Sequence, residues 1–119
     1  MGKILVVDDD LGILEAIQMV LEDEDHTVKI ISSDEEVDAA IKEFSPDLVI
    51  LDILLSGSDG RDICKRLKEA EKTTNIPIIL ASAHQDIEKD VAAYKADDSL
   101  AKPFELDELF SKVDKFVKN

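Results

Sequence analysis

Three runs of four or five apolar residues without a polar break, Ile4–Val7, Leu48–Leu51 and Pro77–Ala81, constrain this chain more than any other feature. A strand wetted on one face alternates polar with apolar residues, so an unbroken run marks a strand covered on both faces. Segments of helical period lie between the runs, and the alternation continues from one end of the chain to the other in five pairs. This is the pattern of β-α-β units feeding a mainly parallel sheet. The unbroken runs belong in its middle. Thr27–Ile31 carries Lys29, and Asp98–Ala101 is short and begins with polar residues, so both are expected at edges. The expected fold class is therefore α/β, a doubly wound parallel sheet with strand order 2-1-3-4-5.

The helices follow from the same spacing. Ile13, Ile17, Val20 and Leu21 make the first, Ile63 and Leu67 the third, and Ile87, Val91 and Tyr94 a weaker fourth. In the second, Val37, Ala40, Ile41 and Phe44 recur at helical spacing, and Ser33 with Glu36 reads as a capping box. Leu106, Leu109, Phe110, Val113 and Val117 form the stripe of the fifth, with Lys112, Lys115 and Lys118 toward the end that favours positive charge. With 119 residues and neither linker nor repeat, residues 1–119 are expected to be one domain able to bury a core without disulfides. The single cysteine, Cys64, is read as a small core residue on the third helix.

Twenty-eight acids against 14 Lys and Arg leave a net charge of -14, which disfavours direct binding to nucleic acid or to anionic membranes. The amino terminus has no leader-like segment and no stretch approaches ~18 apolar residues. A cytoplasmic protein that neither spans nor is anchored to a membrane is expected.

The ends of the apolar runs carry the chemistry. Asp8 and Asp9 follow the first run, Asp52 follows Leu48–Leu51, Ser82 follows Ile78-Ile79-Leu80-Ala81, and Lys102 follows Ser99-Leu100-Ala101. In a parallel sheet these ends share one edge, where open α/β sheets place their ligand sites. Oxygen-only ligands there suit a hard divalent ion, Mg²⁺ rather than zinc. Without a cation the acids repel one another, by roughly 4 kcal/mol for two charges ~4 Å apart at an effective dielectric near 20. Such a pocket needs a metal, a proton or Lys102. The Lys102-Pro103 pair offers a cis peptide that would aim the ammonium group at the acids.

Several segments together resemble the receiver domains of two-component response regulators: Val6-Val7-Asp8-Asp9-Asp10, Leu51-Asp52-Ile53 with Gly60 beyond it, Ile79-Leu80-Ala81-Ser82-Ala83, Ala96-Asp97-Asp98 and Lys102-Pro103-Phe104. The resemblance covers essentially the whole chain and implies the flavodoxin-like (βα)5 fold. It implies Mg²⁺-dependent transfer of a phosphoryl group from the phosphohistidine of a histidine kinase or phosphotransfer protein to Asp52, followed by hydrolysis. By the same match Asp9, Asp52 and the backbone carbonyl of Leu54 would bind the metal, Asp8 would hold it through water, and Ser82 and Lys102 would contact phosphoryl oxygens. Such a domain is no enzyme in the usual sense, since it catalyses only its own phosphorylation and dephosphorylation, and it signals through protein contacts.

Some positions depart from the family pattern. Ser56 stands where proline is usual, Lys95 where glycine is usual, and Ser99 where an aromatic residue usually takes part in switching. Leu54 and His84 occupy positions that in the family flank the phosphoryl group. Two other readings stay open at this point. A haloacid-dehalogenase-like hydrolase would use Asp8 as nucleophile and Asp10 as acid, and identifying the phosphorylated aspartate separates it. A non-phosphorylated interaction module on the same fold would fail to bind a phosphate mimic.

Overall fold

The computed structural model describes residues 2–83 and 86–117. The five expected strands form as β1 (Lys3–Val7), β2 (Thr27–Ile31), β3 (Leu48–Asp52), β4 (Ile78–Ser82) and β5 (Asp98–Ala101). They join in one parallel sheet of order β2-β1-β3-β4-β5. Helices α1 (Leu11–Asp23), α2 (Val37–Phe44), α3 (Gly60–Glu69), α4 (Ile87–Ala93) and α5 (Leu106–Phe116) connect or follow the strands.

Side chains alternate across the pleat and split the core in two. Leu5, Val7, Val49, Leu51, Ile78 and Leu80 pack with Val37 and Ile41 of α2, Ile63 and Leu67 of α3 and Ile87 of α4. Ile4, Val6, Leu48, Ile50 and Ile79 pack with Leu14, Ile17 and Leu21 of α1 and Leu109 and Val113 of α5. This double coverage is why the three central runs contain no polar residue. Each buried Leu, Ile or Val contributes about 1.5–3 kcal/mol, so the sheet centre carries much of the stability. The edge strands β2 and β5 are only partly buried, as their polar residues require.

Three local expectations change. The capping box at Ser33 is incomplete, because Asp34–Glu36 winds as a 3-10 turn ahead of α2. In that tighter turn the Glu36 N–H reaches the Ser33 carbonyl at 3.4 Å, and the Ser33 hydroxyl instead donates to the Glu36 carboxylate at 3.3 Å. Leu106 is 51% exposed and lies outside the buried stripe, which narrows to Leu109, Val113 and Val117. Lys112 and Lys115 both donate to Asp98 of β5, at 3.0 and 2.5 Å, so they fasten the helix to the sheet, and of the two only Lys115 lies in the last turn where it meets the dipole. Lys118 lies outside the described residues.

Lys95 shows what a missing glycine costs. The chain leaves α4 with Lys95 at φ +64°, and the Ala96 N–H returns to the Val91 carbonyl at 3.0 Å, the closing bond of a Schellman turn. A left-handed residue with a side chain costs roughly 1–2 kcal/mol. Lys95 recovers little of this through its exposed ion pair with Glu69. Lys95→Gly is therefore expected to stabilise the protein by about 1 kcal/mol, measured by urea unfolding; a destabilised variant would show that the ion pair outweighs the backbone strain.

Candidate functional site

The register brings the acidic ends together. Val7 of β1 pairs with Leu51 of β3, Asp52 with Ala81 of β4, and Ser82 with Ala101 of β5. One residue beyond these pairs the chain reaches Asp8 and Lys102. The Ile53 N–H donates to the Ala81 carbonyl and the Lys102 N–H to the Ser82 carbonyl, so the ladder continues to the rim of the site. The Lys102-Pro103 peptide is cis.

Asp8, Asp9 and Asp52 each present one carboxylate oxygen within 4.8 Å of the others. Asp8 and Asp52 are buried, while Asp9 is exposed. Lys102 Nζ lies 2.7 Å from Asp8 and 3.4 Å from Asp52, and so answers both buried charges at once. The other Asp8 oxygen accepts the Asp10 N–H at 2.9 Å. Asp10 itself caps α1, its side chain accepting from the Ile13 N–H at 3.2 Å. That capping role occupies the residue that the hydrolase reading needs as its acid.

Burial pushes the Asp52 carboxyl up to about 6, with the neighbouring charges of Asp8 and Asp9 acting the same way and Lys102 opposing them. Lys102 is itself raised, because hydrogen bonding to Asp8 and the charges of Asp52 and Asp8 outweigh the opposing effect of its burial. The pocket therefore sets one cation, Lys102, against three acids.

Ser82 closes β4 and is buried. Leu54 lies two residues beyond Asp52 and opens a short hairpin, Leu54–Leu55 against Ser58–Asp59, that the apolar runs do not announce. The turn is Ser56-Gly57, with Gly57 supplying a φ of +77°. The Leu54 side chain is 70% exposed. Ser99 is buried in β5, and His84 lies outside the described residues.

Two contacts near the site have no signature in the apolar pattern. The Ser56 hydroxyl donates to Asp9 Oδ2 at 3.3 Å, across 47 positions of sequence. Arg61 donates to Asp59 at 2.7 Å and to Asp90 of α4 at 3.4 Å, and its guanidinium lies 5.4 Å over the Tyr94 ring. Cys64 is buried beside this cluster, its thiol donating to the Tyr94 carbonyl at 3.5 Å. Burial pushes that thiol up to about 12, so it stays protonated and unreactive, as expected of a core cysteine. These contacts tie α4 to α3 behind the hairpin.

No helix among the described residues is long and apolar enough to cross a membrane. Residues 4–114 match the model of the response regulator receiver domain. The DNA-binding dual master transcriptional regulator RpaA of Synechocystis is 32% identical over 115 residues, covering 95% of this chain and 48% of RpaA. The chain thus spans about half the length of the curated relatives it matches. Among solved structures, a response regulator from Chloroflexus aurantiacus superposes with a TM-score of 0.90 at 33% identity, covering 97% of this chain and 96% of that one. The response regulator TrrA of Thermotoga maritima, in complex with Mg²⁺-BeF, gives 0.87 at 32% identity and covers 98% and 100% of the two chains. A parallel five-stranded sheet, an acid-lined carboxyl edge with a lysine across it and a family match over almost the whole chain converge: the protein belongs to the response regulator receiver domain family.

Proposed function

We propose that residues 1–119 act as a single receiver domain in which Asp52 accepts a phosphoryl group from the phosphohistidine of a histidine kinase or phosphotransfer protein. The observation that carries this reading is the grouping of buried Asp52 with Asp8 and Asp9, their oxygens within 4.8 Å of one another, and with Lys102 at 3.4 Å. The Asp52 carboxylate oxygen forms the new O–P bond as the P–N bond to imidazole breaks, and the imidazole keeps the electron pair. Lys102, already 3.4 Å from Asp52, meets charge on the phosphoryl oxygens, with the Ser82 hydroxyl as a second contact. Positioning and electrostatics supply most of the catalysis in such a transfer. Water then attacks phosphorus, releases phosphate and restores the carboxylate.

Asp9, Asp52 and the Leu54 carbonyl fit Mg²⁺, with Asp8 reaching it through water, because the donors are all oxygen and the three acids exceed the one local cation. TrrA, 32% identical to this chain, is known with Mg²⁺-BeF bound. When bound, Mg²⁺ neutralises charge on the phosphoryl oxygens. Output passes through protein contacts rather than direct DNA binding, in keeping with the net charge of -14. Ser99 buries too little surface to serve as a two-position switch, which leaves the loop after β4 and the start of α4 as the element that follows Ser82 toward the phosphoryl group.

The test is incubation with acetyl phosphate and Mg²⁺, followed by mass-spectrometric location of the modification. Label is expected on Asp52 alone and absent from Asp52→Asn. Label on Asp8 would restore the hydrolase reading, and no label with no binding of beryllofluoride would favour the interaction module.

A further inference from the structure

We infer that Ser56 is a positioning residue for the metal site, holding the Asp9 carboxylate in the orientation that Mg²⁺ requires. The inference rests on the proposed role of Asp8, Asp9 and Asp52 as the Mg²⁺ site. Asp8 has both oxygens engaged, by Lys102 and by the Asp10 N–H, and Asp52 is buried against Lys102. Asp9 is the exposed member of the three. The contact that orients it is the Ser56 hydroxyl, which donates to Asp9 Oδ2 at 3.3 Å.

The hairpin makes this contact. Leu54 pairs with Asp59 and Leu55 with Ser58, so Ser56 and Gly57 form the two-residue turn at its tip. With Gly57 at φ +77°, the chain reverses tightly and Ser56 stands over the strand end that carries Asp9. A proline at this position has no hydroxyl to offer. Mg²⁺ demands near-ideal octahedral geometry, so fixing one oxygen of a mobile carboxylate leaves its partner oxygen aimed before the ion arrives. Partners of this outer kind typically change metal affinity by 10- to 100-fold. Exposure of Asp9 reduces the expected effect of losing Ser56 to about threefold to tenfold.

The experiment measures the dissociation constant of Mg²⁺ from its effect on the melting temperature of the native chain and of the Ser56→Ala, Ser56→Thr and Asp9→Ala variants. Ser56→Ala is expected to raise the constant about threefold to tenfold while leaving the metal-free melting temperature unchanged, and Ser56→Thr, which keeps the hydroxyl, is expected to restore native affinity. An affinity in Ser56→Ala within twofold of native, or a loss of melting temperature that is the same with and without Mg²⁺, would overturn the inference. If Asp9→Ala were stabilised by Mg²⁺ as much as the native chain, the metal-site reading itself would fall, a result distinct from failure of the Ser56 contact.

Discussion

Asp52→Asn is expected to make the metal-free protein more stable than the native chain at pH 7, by about 2 kcal/mol, while abolishing phosphoryl acceptance. The folded chain raises Asp52 from its ordinary 3.8 to about 6, first by burial and then by the charges of Asp8 and Asp9, against the pull of Lys102. One pKa unit corresponds to about 1.4 kcal/mol, so ionising this group in the fold costs about 3 kcal/mol. Relaxation and water around the pocket bring that figure down to about 2 kcal/mol.

The sign sets the pH window. A carboxyl with a raised folded pKa binds its proton more tightly in the native state than in the unfolded chain, so native stability falls as pH rises between about 4 and about 6. The penalty is fully present above that range. Asp59 and Asp98 are shifted the other way, but they are common to both proteins and cancel in the comparison. Urea unfolding with a chelator at several pH values should therefore give a difference between Asp52→Asn and native that is near zero at pH 4 and grows to about 2 kcal/mol at pH 7. A difference that does not change with pH would show that Asp52 is not held by its buried setting. Mg²⁺ should stabilise the native chain more at pH 7 than at pH 5, because proton and metal compete for the same oxygens.

Gly60→Ala is expected to be the most damaging single-methyl change near the site. An ideal Cβ on Gly60 would lie 2.0 Å from the Asp52 carbonyl oxygen and 3.1 Å from Ile53 Cα. Both are backbone atoms, so no rotamer change relieves the clash. The Gly60 N–H also donates to the Ile53 carbonyl at 2.7 Å, which holds the start of α3 against the end of β3. Overpacking of this kind costs about 3 kcal/mol, readable by urea unfolding. The strain falls on Asp52, the proposed phosphoacceptor. At a temperature where the variant is folded, as judged by circular dichroism, the rate of labelling by acetyl phosphate is expected to fall at least about tenfold, since displacements near 1 Å at a reacting group are costly. Native labelling in a folded Gly60→Ala would mean that the Asp52 backbone has room to yield.

Much of the site was legible because it lies where local pattern and global topology coincide. Leu48–Leu51 has no polar residue because both faces of β3 are covered, and Asp52 follows because the strand there reaches the edge of the sheet. The same reasoning locates Asp8, Ser82 and Lys102, since parallel strands all end on one side. Even the departures have visible causes: Lys95 keeps the left-handed turn that glycine would enter at lower cost, and Ser33 loses its cap role to a turn too tight for it.

The chain by itself determined the covered strands, the amphipathic helices and the residue types at the strand ends, because these depend on spacings of two to four residues along the backbone. Tertiary structure decided which charges meet. Nothing local pairs Ser56 with Asp9 or joins Arg61 to Asp90, and nothing local sends Lys112 and Lys115 to Asp98. The ionisation of Asp52 belongs with these, for it is set by burial and by distances to Asp8, Asp9 and Lys102, quantities that exist only once β1, β3, β4 and β5 lie side by side.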